Sequence, residues 1–286
     1  MQAEERIAAI LRLERKVSED GKDVTFAEGS GNVVFATKDG TVKKTALNDF
    51  VNYRKAGIIA INLEEGNSLV NAVLTTGEQD VIIVTHNGMS IRFNESDMRT
   101  QGRNTIGVRG IKLREGDYVV AMAVVPEGET AVTADEESAD VPAETEELTD
   151  GVPAAHSLLV VSENGLGKRT RFGEYRLQSR GGIGIKTMNC TDKTGLVVSA
   201  TTVTDADELM IMTSGGQSVR MKVDTIRETG RATQGVKLIT LNAKEAIQEI
   251  TLVIPDEDDD EAASAEGEEV ADADGADAPA ENTTQE

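Results

Sequence analysis

Four short stretches of this chain repeat one pattern, and that pattern limits the folds open to it. They are Val33-Val34-Phe35-Ala36-Thr37, Val81-Ile82-Ile83-Val84-Thr85, Leu158-Leu159-Val160-Val161-Ser162 and Leu209-Met210-Ile211-Met212-Thr213. Each has four apolar residues, then Ser or Thr, then a glycine three positions later: Gly40, Gly88, Gly165 and Gly216. A short unbroken apolar run closed by a turn reads as a strand buried on both faces. The turns Asp39-Gly40, Asn87-Gly88, Asn164-Gly165 and Gly215-Gly216 favour positive φ and so favour tight hairpins.

The glycines are spaced 48, 77 and 51 residues apart. The long interval contains segment 126–156, which carries ten acids and no Lys or Arg. Without that insertion the period is about fifty residues throughout. Further columns follow each turn glycine. Four positions on stands a base: Lys44, Arg92, Arg169, Arg220. Fourteen or fifteen positions on stands an arginine: Arg54, Arg103, Arg180, Arg231. A second glycine comes next, at Gly57, Gly107, Gly184 and Gly235. In three repeats it leads into an apolar–basic pair, Val108-Arg109, Ile185-Lys186 and Val236-Lys237; the first repeat has Ile58-Ile59. Each repeat closes on another apolar stretch: Leu69–Leu74, Val119–Val125, Leu196–Ala200 and Ala246–Ile254.

A fifty-residue repeat with about four strands is the signature of a propeller blade. The expected class is therefore all-β. The boundaries are an incomplete preceding blade at 1–20, blades at 21–78 and 79–125, an acidic insertion at 126–156, blades at 157–206 and 207–255, and an acidic tail at 256–286. Arg6–Leu11 reads as the closing strand of the incomplete blade, with a short helix as the alternative.

Charge is partitioned just as sharply. The formal net charge is −22, but the tail carries fourteen acids and no base. Without tail and insertion, 27 acids face 29 bases. The repeats are near neutral, and the two acidic stretches have the composition of disorder. All five prolines lie in or beside those stretches, so none interrupts a strand. The longest apolar run, Tyr118–Val125, has eight residues against the roughly 20 of a membrane helix. No signal-peptide pattern follows Met1, and the single cysteine, Cys190, has no partner for a disulfide. A cytoplasmic protein with no membrane partner is expected.

Duplex DNA presents one charge per about 1.7 Å of axis, and bases repeated blade after blade suit contact with its backbone. The second-strand candidates are Lys43, Lys44, Arg92, Lys168, Arg169, Arg220 and Lys222, expected together on one outer edge. The loop candidates are Arg54, Lys55, Arg103, Arg109, Arg180, Lys186, Arg231 and Lys237. Read blandly, such bases only keep strand faces soluble and block edge pairing. Catalytic constellations are not evident. Gly165-Leu166-Gly167-Lys168-Arg169-Thr170 lacks the spacing of a phosphate loop, and His86 and His156 have no metal-ligand spacing.

Three runs carry a family resemblance. They are Asp39-Gly40-Thr41-Val42-Lys43-Lys44-Thr45, Gly102-Arg103-Asn104-Thr105-Ile106-Gly107-Val108-Arg109-Gly110-Ile111 and Gly230-Arg231-Ala232-Thr233-Gln234-Gly235-Val236-Lys237-Leu238. They resemble blades of the gyrase A C-terminal domains, over about residues 5–255. The resemblance implies a β-pinwheel of about four complete four-stranded blades plus the end of a fifth, with strands exchanged between neighbours. It also implies wrapping of double-stranded DNA. The complete A2B2 enzyme, a DNA topoisomerase, would contain gyrase B and a second copy of gyrase A. ATP and Mg would act in other domains, and no cofactor or metal is expected in this chain. The family's Gln-Arg-Arg-Gly-Gly-Lys-Gly box is not present in full. Its degenerate relative is Gln178, Ser179, Arg180, Gly181, Gly182, Ile183, Gly184, in which Ser179 and Ile183 replace bases. None of Tyr53, Tyr118 or Tyr175 matches the family's nucleophilic tyrosine. The corresponding domain of topoisomerase IV, or a propeller-like protein-interaction scaffold, are the rival readings.

Overall fold

The apolar runs become the interior strands of successive sheets. In the computed structural model, residues 6–13, 15–17, 24–26, 31–52, 54, 56–129 and 156–253 are described. All but Val253 belong to one compact unit, Met1–Leu252. Lys55, Tyr53, most of the acidic insertion and the acidic tail lie outside the described residues.

A hairpin of β1 (Arg15–Val17) and β2 (Val24–Phe26) precedes the repeats. The first repeat supplies β3 (Asn32–Thr37), β4 (Thr41–Ala46) and β5 (Leu69–Thr75). The second supplies β6 (Asp80–Thr85), β7 (Met89–Asn94), β8 (Val108–Arg109) and β9 (Val119–Val125). The third supplies β10 (Ser157–Ser162), β11 (Leu166–Arg171), β12 (Ile185–Lys186) and β13 (Val197–Val203). The fourth supplies β14 (Glu208–Thr213), β15 (Ser218–Lys222), β16 (Val236–Lys237) and β17 (Ile247–Val253).

The sheets run β5-β3-β4-β8, β9-β6-β7-β12, β13-β10-β11-β16 and β17-β14-β15. The short strand of each repeat thus completes the blade before it. Val42 pairs with Val108, Ser90 with Ile185 and Gly167 with Val236. The second glycine column makes the exchange sterically feasible. A Cβ on Gly107, Gly184 or Gly235 would lie 2.4, 2.3 or 2.5 Å from the carbonyl oxygen of Val42, Ser90 or Gly167, and all three residues have positive φ. Only glycine meets both conditions.

The Ser/Thr column also acquires a reason. The first three blades bulge just before it, at Ala36/Thr37, Val84/Thr85 and Val161/Ser162. There the buried hydroxyl closes the hairpin turn. Thr37 Oγ1 donates to the Thr41 carbonyl at 3.0 Å and Ser162 Oγ to the Leu166 carbonyl at 3.1 Å, while Thr85 Oγ1 accepts the Met89 amide at 3.2 Å.

Side chains alternate along each interior strand, so each blade contributes to two interfaces. Val34 and Ala36 pack with Val81 and Ile83 between the first two blades. Ile82 and Val84 pack with Leu158 and Val160 between the next two. Leu159 and Val161 pack with Leu209 and Ile211 between the last two. The other face of the first blade, Val33 and Phe35, is covered partly by Ala9, Leu11 and Leu13. Residues 6–13 lie in no strand and no helix, contrary to both expectations for Arg6–Leu11. They bury alternate side chains without a sheet partner.

Candidate nucleic-acid interface

The second-strand bases do not form an outer edge. Lys43, Lys44, Arg92, Lys168 and Arg169 are all buried. The exchanged strand covers the first half of that edge, and a parallel bridge from the following repeat covers the rest: Lys44 with Thr100, Arg92 with Leu177, Arg169 with Glu228. Only in the last blade, where β15 is the sheet edge, do Arg220 and Lys222 remain exposed; Arg220 pairs with Glu208.

The buried bases instead tie neighbouring repeats together. Lys44 Nζ donates to the Glu95 carbonyl at 2.7 Å, Arg92 Nη1 to that of Phe172 at 2.9 Å and Arg169 Nε to that of Ile226 at 2.7 Å. Each acceptor lies in, or just after, the 3-10 turn of the next repeat. Lys43 Nζ donates to the carbonyls of Ala60 (2.7 Å) and Arg103 (2.5 Å), and Lys168 Nζ to those of Gly230 (2.7 Å) and Arg231. Burial pushes both lysines down to about 8. The charge of Arg103 adds to this at Lys43, whereas at Lys168 the nearby Glu174 works against it. A charge this enclosed cannot meet a phosphate, and its ammonium is satisfied by main-chain oxygens.

The loop bases behave differently. Arg54, Arg109, Lys186 and Lys237 are exposed, while Arg103, Arg180 and Arg231 are partly covered. Their partners repeat at every junction. Arg103 Nη1 donates to the Ile59 carbonyl at 3.2 Å, Arg180 Nη1 to that of Arg109 at 2.5 Å and Arg231 Nη1 to that of Lys186 at 3.3 Å. At the second and third junctions the loop arginine of one repeat therefore sits on the exchanged strand of the repeat before; at the first, Ile59 lies in no strand. A partly covered arginine, Arg180 or Arg231, thus lies against the main chain of an exposed base, Arg109 or Lys186. Backbone bonds between loops fix the stacking: Asn62 N to Thr105 O (3.0 Å), Lys112 N to Gly182 O (2.8 Å) and Asn189 N to Thr233 O (3.0 Å).

The degenerate box lies inside this arrangement. The Gln178 amide donates to the Arg92 carbonyl at 2.9 Å and the Gly181 amide to that of Gly110 at 2.7 Å. The box glycines therefore serve close packing of loop on loop.

One basic column escaped the sequence reading: Arg99, Arg176 and Arg227, each eleven residues after its turn glycine. It follows the buried residues Met98, Tyr175 and Ile226, so the offset was available as a signal. Arg99 and Arg227 are exposed.

The remaining reactive side chains are structural. Tyr175 is buried, shares a 2.7 Å hydrogen bond with Thr187 Oγ1, and is pushed up to about 12 by burial. The His86 ring stacks on Tyr118 at 4.4 Å, and its Nδ1 lies 2.7 Å from the Val197 carbonyl. Burial also raises the Cys190 thiol. Among the described residues no cluster of His, Cys, Asp or Glu is suited to a metal ion, and no helix is long and apolar enough to cross a membrane.

Strand-exchanged blades with stacked basic loops define a propeller-like repeat protein whose rim presents bases in series. The chain belongs to the family described as DNA gyrase C-terminal domain, beta-propeller, whose repeat matches residues 31–76, 79–126, 156–204 and 207–253. It is 42% identical over 226 residues to the DNA gyrase A protein of Staphylococcus epidermidis, covering 79% of this chain and 22% of that protein. The chain thus spans about a fifth of the length of that relative. A solved gyrase A C-terminal domain superposes with a TM-score of 0.64 at 25% identity, over 81% of this chain and 69% of the other. The C-terminal domain of DNA topoisomerase IV has the same fold, with a TM-score of 0.66 at 22% identity over 87% and 72%.

Proposed function

We infer that this chain binds double-stranded DNA along its stacked loops and bends the duplex around successive blades. The observation that carries the reading is the recurrence of bases at successive junctions. Arg180 donates to the main chain of Arg109 and Arg231 to that of Lys186, so a loop arginine and an exposed base of the exchanged strand recur together from one junction to the next. A phosphate backbone supplies anions at regular spacing, and such contacts set position without reading sequence. Arg99, Arg227 and Lys237 extend the same series, whereas Lys43, Lys44, Arg92, Lys168 and Arg169 are excluded by burial.

As part of a gyrase A protein, the domain would present the bent segment to a cleavage gate located elsewhere in the protein. The assembly would include a second copy of gyrase A together with gyrase B. ATP and Mg would act in those other domains, and the outcome would be negative supercoiling. A cytoplasmic, chromosome-associated location accords with that role.

The test is fluorescence anisotropy with a labelled duplex across a salt titration. Affinity should fall steeply with salt, and the Arg109→Ala/Lys186→Ala/Lys237→Ala variant should flatten the slope by about three counterions. An affinity insensitive to salt, or a variant with the wild-type slope, would refute the reading.

A further inference from the structure

Among the described residues, Ile106 and Ile183 stand in solvent, 44% and 52% exposed. They occupy the same repeat position, three residues after the loop arginine and one before the glycine of the exchanged strand. Exposed apolar residues scattered singly need no explanation. Here the two recur in consecutive blades, each flanked by a loop arginine and an exposed base of the exchanged strand. In the degenerate box, Ile183 stands where the family's box has a lysine.

Neither loop is free to fold its isoleucine away. The first is pinned from below, with Lys43 Nζ donating to the Arg103 carbonyl at 2.5 Å and Asn62 N to the Thr105 carbonyl at 3.0 Å. The second is pinned by the Gly182 carbonyl accepting from Lys112 N at 2.8 Å and by Gly181 N donating to the Gly110 carbonyl at 2.7 Å. Ile183 also has a glycine on either side, so no neighbouring side chain holds the backbone off a bound duplex.

We propose that Ile106 and Ile183 are wedges that enter the minor groove and partly unstack a base step where the duplex curves around the second and third blades. This rests on the reading that the stacked loops bind DNA. Apolar tips flanked by bases kink a duplex because unstacking is offset by burial of the tip and by the added phosphate contacts that the bend permits. The position is Ala56 in the first repeat and Gln234 in the last. The wedges are therefore confined to two adjacent blades, and two kinks one blade apart are expected.

The experiment uses an end-labelled duplex whose bending is read by energy transfer, with affinity measured in parallel over a range of salt. Ile106→Ala/Ile183→Ala should reduce the energy-transfer change to about half or less of the wild-type change. It should weaken binding about tenfold. The salt slope should not move, because no charge is removed. Ile106→Met/Ile183→Met should retain the bend. Wild-type bending by the alanine variant overturns the wedge proposal while leaving DNA binding intact. Failure of the wild-type chain to bind the duplex removes the underlying reading and the wedges with it. Both side chains are exposed, so an unchanged thermal melt separates these outcomes from misfolding.

Discussion

Replacing Glu95 should damage this fold more than any surface change, although it lies on no catalytic or binding surface. Glu95 is fully buried at a position filled by Leu47, Phe172 and Val223 in the other repeats. Its carboxylate accepts from Thr75 Oγ1 at 2.7 Å, Gly77 N at 2.8 Å and Gln79 N at 3.0 Å, and it lies 3.9 Å from Lys44 Nζ. Glu95→Ala leaves the buried Lys44 ammonium without its counter-charge, held by the main-chain carbonyl at position 95, and leaves two part-buried amides without their acceptor. Breaking a buried pair in this way costs about 3–5 kcal/mol. With a urea m-value of roughly 2 kcal/mol/M, the midpoint should fall by about 2 M in far-UV circular dichroism. Removing both charges is a different matter, since apolar replacement of a buried pair is often near neutral. Lys44→Met/Glu95→Leu should therefore recover much of the stability lost by Glu95→Leu alone. A loss below about 1 kcal/mol for Glu95→Ala, or a double variant as unstable as the sum of the singles, would refute the assignment of Glu95 as a buried hub.

Stability should also respond to pH in the alkaline range. Lys43 and Lys168 titrate in the folded chain at about 8, against an ordinary 10.5. Between those values the unfolded chain holds protons that the folded chain has released, so stability rises with pH across the window. Tyr175, pushed up from 10.0 to about 12, acts in the opposite sense above pH 10. Urea midpoints should rise from pH 8 to about 10, and Lys43→Met/Lys168→Met should abolish the rise; a flat wild-type profile would contradict it. Gly107→Ala sets a Cβ 2.4 Å from the Val42 carbonyl at φ +111°. It should cost about 3 kcal/mol in the same urea assay, and a neutral effect would argue against the strand exchange. Deleting 256–286 removes fourteen negative charges. If the tail competes with phosphates, its deletion should tighten DNA binding, most visibly at low salt. Equal affinity with and without it, across a salt titration, would leave solubility as its role.

Much of the architecture was legible because repeats report on themselves. The period set the number of blades, the apolar runs marked the interior strands and the first glycine column marked the hairpin turns, whereas the exchange of strands was implied by the family resemblance alone. The N-terminal segment was harder. Arg6–Leu11 is apolar after Arg6 and contains good helix formers, yet residues 6–13 pack against the first blade without a sheet partner. An apolar run shows that some side chains will pack, here Ala9, Leu11 and Leu13 but not Ile7 or Ile10; it does not report whether a neighbouring strand is present to bond with.

The bases show where sequence patterning runs out. Thr41-Val42-Lys43-Lys44-Thr45 reads as a strand with a charged, solvated edge, and regular recurrence of the charge strengthens that reading. The edge is covered because the following repeat lends a strand to it. Lys43 consequently ends among main-chain carbonyls and Lys44 beside Glu95. Exposure of a residue in one repeat is decided by the next repeat, about fifty positions away, and no local pattern carries that information. The last blade makes the same point from the other side. Arg220 occupies the column of Lys44, Arg92 and Arg169, but β15 is a sheet edge, and Arg220 is exposed. The basic columns thus divide by topology. The second-strand column holds neighbouring blades together, and the bases left facing solvent are those of the exchanged strands, Arg109, Lys186 and Lys237, with Arg103, Arg180 and Arg231 partly covered. A substitution in the first column should register in stability and one in the second in DNA affinity, although the sequence presents both as the same kind of repeated base.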